Sequence, residues 1–171
     1  MIIEIRKATE ADVAAILEVT KDAFSQYAKS LGQPEKVLAL RDTAETVLHE
    51  MSYKTVLVGC IDGHIIGTAR TEAVPGNIAY MTRFGVRSDS QNSGMGKMLI
   101  HEVVQQARAQ GLTAIALHTC TKIFPLVRFY YGQGFYIHST TQDRGYVRGL
   151  FLKELGDCSH EMMDLNFVSK L

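Results

Sequence analysis

The residues best suited to chemistry in this 171-residue chain lie in Gln91-Asn92-Ser93-Gly94-Met95-Gly96-Lys97, a polar, glycine-bearing loop. It follows a strand pattern, Ile78 to Val86, and a short polar turn, Arg87 to Ser90, and it opens a helical pattern that continues through Ala107. That order aims several backbone N–H groups and the positive end of a helix dipole at one point, which suits a phosphate or another anion. Glycines at a helix start also serve plain capping or tight turning, so the loop alone leaves both readings open.

Around this loop the chain has the size of one domain, residues 1–171, able to bury roughly 70% of the surface it exposes when unfolded. Lys and Arg number 18, as do Asp and Glu, so the formal net charge is zero. This balance gives no general attraction to nucleic acid or to an anionic membrane. The N-terminus carries no basic head followed by an apolar run of about 7–15 residues, and no apolar stretch reaches about 18 residues. The expectation is a cytoplasmic protein. Cys60, Cys120 and Cys158 are odd in number and far apart, with no C-x-x-C spacing, so no disulfide framework and no metal site is indicated. Cys60 reads as a buried strand residue.

The elements that would position the loop can be read in order. Ile2 to Arg6 alternates as a strand, and Thr9 with Asp12 caps an amphipathic helix through Val13, Ile16, Leu17, Val19 and Ala23. Ser30 to Pro34 interrupts this pattern, and a second helical region, in one or two pieces, runs from Val37 to Met51. Lys54–Ile61 and His64–Ala73 form a hairpin about Asp62-Gly63, and Pro75-Gly76-Asn77 turns into the strand Ile78–Val86. A helix from Gly94 to Gln110 stops at Gly111, and the strand Thr113–Thr119 completes a right-handed βαβ unit with a parallel pair. Ile123–Tyr131 reads as a helix with Pro125 in its first turn, ended by Gly132-Gln133-Gly134, and Phe135–Thr141 as a strand. Tyr146–Leu155 has helical spacing, although Gly149 and the aromatic content also suit a strand; the spacing favours a helical insertion. Ser159–Phe167 is then expected as the closing strand, antiparallel to Phe135–Thr141.

Two familiar phosphate loops fail on spacing. A Walker A loop needs a glycine where Gln91 stands and Ser or Thr where Met98 stands, and a dinucleotide fingerprint needs a third glycine where Leu99 stands. What remains is Gln-x-x-Gly-x-Gly after a strand ending Phe84-Gly85-Val86, with Phe129-Tyr130-Tyr131-Gly132-Gln133-Gly134-Phe135 about forty residues later. In these two segments, and in element order from Ile2 to Thr141, the sequence resembles the GNAT superfamily of acyl-CoA-dependent N-acetyltransferases. The resemblance implies an α+β fold: a mixed, mostly antiparallel sheet of about seven strands. Its fourth and fifth strands run parallel and splay, with helices on both faces.

It also implies acetyl-CoA as cosubstrate. Backbone amides of Gln91, Asn92, Ser93, Gly94, Met95, Gly96 and Lys97 would cradle the pyrophosphate, and Phe84, Gly85 and Val86 would pair their main chain with the pantetheine arm. Tyr130 would lie near the sulfur as general acid, the ordinary tyrosine pKa of about 10 sufficing to protonate a thiolate of about 8.5. His118, near the end of the fifth strand, and Glu72, near the end of the third, are the side-chain candidates for a base, with a water chain as the alternative. Ile123 stands where many relatives carry an asparagine that touches the cofactor, and Gly132 is unusual within the second segment.

The resulting expectation is direct acetyl transfer, in a ternary complex, to an amine of a small molecule or a protein. The competing reading is an acyl-CoA-binding sensor or regulatory subunit without turnover. Arg144, Tyr146 and Arg148 either overhang the acceptor pocket or form a solvated turn with a packed tyrosine. An exposed edge strand near the C-terminus is compatible with a homodimer.

Overall fold

The computed structural model describes residues 1–156 and 163–171. Among them are β1 (Ile3–Lys7), α1 (Val13–Leu31), α2 (Ala44–Met51), β2 (Thr55–Ile61), β3 (His64–Val74), β4 (Ile78–Val86), α3 (Met95–Ala109), β5 (Ala114–Cys120), α4 (Phe124–Gly132), β6 (Tyr136–Thr141) and β7 (Arg148–Glu154). The seven strands hydrogen-bond in the order β1-β2-β3-β4-β5-β7-β6, a mixed sheet in which β4 and β5 run parallel. The chain forms two compact units, Met1–Thr71 with Arg83–Glu102, and Glu72–Thr82 with Val103–Leu171.

In the first unit, Asp62 and Gly63 both take positive φ (48° and 80°), the turn that matches the right-handed twist of a two-residue hairpin. It joins β2 to β3, and β1 adds antiparallel to β2 from Ile3↔Ile61 to Lys7↔Leu57. A short 3-10 turn, Glu10–Asp12, precedes α1. The Asp12 carboxylate there accepts from the Thr9 N–H (2.7 Å) and from the Arg6 guanidinium (2.7 and 3.0 Å), and these bonds hold its pKa far below the usual range. Gly32, with φ of 73°, closes α1 by donating to the Ala28 carbonyl.

Val13 and Ile16 of α1 and Val47 of α2 pack against Val56, Val58 and Cys60, the alternate residues of β2. Fully burying each of these aliphatic side chains stabilises by roughly 1.5–3 kcal/mol. The opposite face of β2 and β3 takes α3: Met95 lies against Gly59, and a Cβ on Gly67 would come within 2.9 Å of both Met95 and Leu99. The start of α3 is therefore seated in two glycine gaps, with Met95 only 1% exposed.

In the second unit, the β4–β5 ladder runs from Ile78↔Ala114 to Tyr80↔Ala116, while both strands continue beyond it. The Thr113 N–H and hydroxyl both donate to the Asn77 carbonyl at the base of that ladder (2.8 and 3.0 Å). α4 begins after Ile123 with Pro125 in its first turn, where the missing N–H costs nothing.

Two expectations are corrected here. Tyr146–Leu155 is not a helical insertion: residues 148–154 are β7, which lies between β5 and β6 and pairs antiparallel with both. Its first five residues, Arg148 to Leu152, are all buried, so both faces are covered and the apolar positions do not alternate. Gly149 fits this placement, since a Cβ there would sit 2.7 Å from Thr121 Cγ2. β7 pairs with β6, the place expected for Ser159–Phe167. Residues 163–167 have no strand pairing, 157–162 (including Cys158) lie outside the described residues, and Val168, fully buried, anchors a short 3-10 turn to the core.

Candidate active site

The glycine-bearing loop belongs to the first unit. α3 begins at Met95, and the Met98 N–H donates to the Gly94 carbonyl (3.1 Å), making Gly94 the residue that precedes the helix. The Met95 N–H is taken by Ser93 Oγ at 3.3 Å. The amides of Gly96 and Lys97 fall in the first turn, where a helix supplies no acceptor. Asn92 and Gly94 take positive φ (67° and 86°), which turns successive N–H groups of the loop into a concave nest. Gln91 to Gly94 and Lys97 are exposed, and nothing stands within 4 Å of where a Gly94 Cβ would be. Such an arrangement fits a pyrophosphate: first-turn amides, a helix dipole, and an exposed lysine, Lys97, in the same turn.

Two anchors hold the loop. Asp22 on α1 accepts from the Ser88 N–H (2.6 Å) and hydroxyl (3.0 Å), and the Arg87 N–H donates to the Ile66 carbonyl (2.8 Å). On β4, Gly85 is buried between half-buried Phe84 and Val86, and a Cβ on it would lie 2.7 Å from Ala23 Cβ on α1. Gly85→Ala is expected to lower stability by about 1–3 kcal/mol through overpacking, measurable by thermal or denaturant unfolding.

Arg83, just before Phe84, sits in the left-handed region (φ 51°), a conformation that costs a non-glycine residue on the order of 1–3 kcal/mol. A bidentate pair offsets this cost: Arg83 Nε and Nη2 donate to Asp42 at 2.9 and 3.1 Å. The same carboxylate meets Arg70 Nη1 (2.9 Å), which also meets Glu50 (2.7 Å), and Lys54 closes the chain on Glu50 (2.9 Å). Burial raises the Glu50 pKa, but the hydrogen bonds from Arg70 and Lys54 outweigh it and hold the group ionised below its usual range. Only the Glu50–Lys54 pair, four residues apart, has a spacing visible in the sequence; Asp42, Arg70 and Arg83 share none with it or with one another.

In the second unit, Tyr130 on α4 is 4% exposed, its ring packed against Phe129, Phe135 and Phe151 at 5.3–5.6 Å between centroids. Burial pushes its phenol well above the ordinary tyrosine range. His118 on β5 shares a 2.6 Å hydrogen bond through Nδ1 with the Tyr80 hydroxyl, a partner that sequence reasoning missed. Burial, followed by the charge of Arg148, lowers the His118 pKa to about 4. The imidazole is therefore neutral at neutral pH, yet weakly basic for taking a proton from an amine.

The structure does not bring Tyr130 and His118 together. His118 is in register with Leu150, which shares a core cluster with Tyr80, Ala114 and Ala116, whereas Tyr130 packs on Phe151, the next residue of β7. Neighbouring strand residues point to opposite faces, so the two side chains serve opposite faces of the β5–β7 pair. Glu72 lies half-buried near the end of β3. Of the turn residues, Arg144 is exposed, whereas Arg148 is 7% exposed, so the solvated-turn reading fails for Arg148.

The lowered pKa of His118 has a consequence for stability. Between pH about 6.5 and about 4 the unfolded chain binds a proton that folded His118 does not. The stabilisation is complete above about pH 6.5 and declines as the pH falls toward 4. His118→Gln is expected to flatten the fall of Tm across this window; an unchanged slope would assign the titration to another group.

With this geometry in place, comparison with known proteins is decisive on family. The model of the acetyltransferase (GNAT) family matches residues 14–151. The chain belongs to the GNAT acetyltransferase family. Solved structures agree in fold with this acetyltransferase at low identity. The PaiA N-acetyltransferase of Thermoplasma acidophilum, in complex with coenzyme A, superposes with a TM-score of 0.80 at 20% identity, covering 90% of this chain and 99% of that one. The ribosomal-protein-S18-alanine N-acetyltransferase of Escherichia coli gives 0.73 at 14% identity over 92% and 97%, and Ard1 of Thermoplasma volcanium gives 0.73 at 16% over 91% and 99%. No curated protein sequence gives a match to the GNAT chain. No helix among the described residues is long and apolar enough to cross a membrane.

Proposed function

We propose that this acetyltransferase transfers the acetyl group of acetyl-CoA directly to an amine of a small molecule or protein, in a ternary complex, as one cytoplasmic domain spanning residues 1–171. The observation that carries the reading is the start of α3, with the first-turn amides of Gly96 and Lys97 beside the positive-φ residues Asn92 and Gly94. Acetyl-CoA supplies the activated acyl group as a thioester. The loop from Gln91 to Lys97 binds its pyrophosphate, and the main chain of Phe84, Gly85 and Val86 holds the pantetheine arm. The coenzyme A in the Thermoplasma acidophilum relative is consistent with this assignment.

Tyr130 donates its phenolic proton to the departing sulfur. Its burial keeps it protonated over the working pH range and also makes it a weaker acid than the ordinary tyrosine, so the proton passes to the sulfur only as the thiolate charge develops beside it. The amine's proton leaves to water, with His118 and Glu72 as the side-chain alternatives; their replacement by glutamine separates the three. An amine acceptor within a protein has a counterpart in the Escherichia coli relative named for an alanine of ribosomal protein S18.

A second reading, an acyl-CoA-binding sensor, draws on the packing of Tyr130 among Phe129, Phe135 and Phe151. Isothermal titration with acetyl-CoA and an amine-panel thiol-release assay test both. The proposed function expects saturable binding and acceptor-dependent thiol release. Binding without release supports the sensor, and no binding up to millimolar acetyl-CoA removes both.

A further inference from the structure

Among the described residues, those other than glycine that take positive φ are Asp62, Asn77, Arg83 and Asn92. Asp62, Asn77 and Asn92 stand between elements, and their short polar side chains are the kind that tolerate the left-handed region. Arg83 has neither advantage, for it carries a long side chain and lies inside β4. Its neighbours in sequence therefore do not explain its φ of 51°, and a contact from elsewhere in the chain must hold it.

Asp42 makes that contact. Its buried carboxylate takes Arg83 Nε and Nη2 in a two-point fork (2.9 and 3.1 Å), which fixes the guanidinium in direction as well as distance. Asp42 is itself fixed. Its N–H donates to the Ala39 carbonyl (3.3 Å), Arg70 Nη1 meets its carboxylate (2.9 Å), and the next residue, Thr43, caps α2 by accepting from the Thr46 N–H (3.2 Å). These residues all belong to the first unit, as do the cofactor loop and residues 83–86 of β4.

A single left-handed residue in a strand breaks the regular alternation of its peptide groups and re-aims the main chain that follows, as bulges beside functional sites do. Burial along β4 changes at this point: Ile78 to Met81 are buried, whereas Thr82, Arg83 and Phe84 are half-buried. The main chain that Arg83 re-aims is that of Phe84, Gly85 and Val86, the residues assigned to the pantetheine arm.

We propose that Asp42 and Arg83 are positioning residues for acetyl-CoA: Asp42 holds Arg83 left-handed, and this backbone conformation, not the guanidinium charge, directs the main chain of Phe84 to Val86 at the pantetheine arm. The inference rests on the proposed function and adds to it two side chains that act through the strand.

Isothermal titration with acetyl-CoA separates conformation from charge in Arg83→Ala and Arg83→Gly. Both variants lose the pair with Asp42, but glycine takes positive φ freely and alanine does not. Arg83→Ala is expected to weaken binding about tenfold, because the unsupported left-handed conformer becomes a minor state and apparent affinity falls with its population. Arg83→Gly is expected to weaken it only about twofold, since glycine populates both signs of φ about equally. Weakening in Arg83→Gly as large as in Arg83→Ala overturns the proposal, as does unchanged binding in both.

Asp42→Asn gives a second measurement. Alone it weakens acetyl-CoA binding; added to Arg83→Gly it should change binding by less than about twofold, while Tm falls in both backgrounds because Arg70 loses its partner in both. An equal loss of affinity in the two backgrounds would show an effect that bypasses Arg83 and overturns the proposal. The two Arg83 variants decide the matter by themselves should Asp42→Asn not fold. Failure of the native protein to bind acetyl-CoA instead overturns the proposed function, which keeps the two results distinct.

Discussion

Tyr130→Phe is expected to lower the rate of acceptor-dependent thiol release about a hundredfold while leaving acetyl-CoA affinity unchanged, the loss typical of removing one positioned general acid. The substitution keeps the ring, and with it the contacts to Phe129, Phe135 and Phe151, so the cost to stability stays near that of one hydrogen bond, about 1 kcal/mol. Burial holds the phenol protonated at every pH at which the enzyme works, so Tyr130 itself contributes no descending limb to the pH–rate profile near neutrality. Isothermal titration for affinity, a thiol assay for rate and thermal unfolding for stability read the three effects separately. A variant that keeps its full rate would make Tyr130 a core residue of α4 and take the acid away from the mechanism.

Asp42→Asn is expected to cost about 3–5 kcal/mol, the penalty for removing one partner of a buried ion pair. Asp42 is 6% exposed and is shared by Arg70, which has no exposed surface, and by Arg83. Arg70 already has Nε and Nη2 without partners, so Glu50 would become its one remaining carboxylate among the described residues. For a chain of this length the loss corresponds to a fall in Tm of roughly 10 °C. Arg83 would also lose the bidentate contact that holds its left-handed backbone immediately before Phe84. The main chain of Phe84 to Val86 then presents itself less uniformly, and the KM for acetyl-CoA rises along with the stability loss. A change below about 1 kcal/mol would place the network among weakly coupled surface pairs.

Much of this protein is legible locally. The Asp62-Gly63 hairpin, the stop at Gly111, Pro125 in the first turn of α4 and the loop from Gln91 to Lys97 each follow from the backbone preferences of a few adjacent residues, and each stands where the sequence puts it. The two spaced segments, around Gly94 and around Tyr130, also pointed to the family whose model matches residues 14–151.

What failed was non-local. The spacing of Tyr146, Val147, Leu150, Phe151 and Leu155 fits a helix as well as a strand buried on both faces. The choice was made by β5 and β6, which offer β7 two edges to pair with. The partners of Arg70, the hydrogen bond from Tyr80 to His118, the separation of His118 from Tyr130 and the burial of Arg148 have the same origin. The sequence by itself determined where the chain turns, where a helix begins on a glycine-bearing loop, and which family those features belong to. Only the tertiary structure decided which charges are buried and which side chains share a face, because strand order and burial depend on contacts between residues far apart in the chain, which no local spacing encodes.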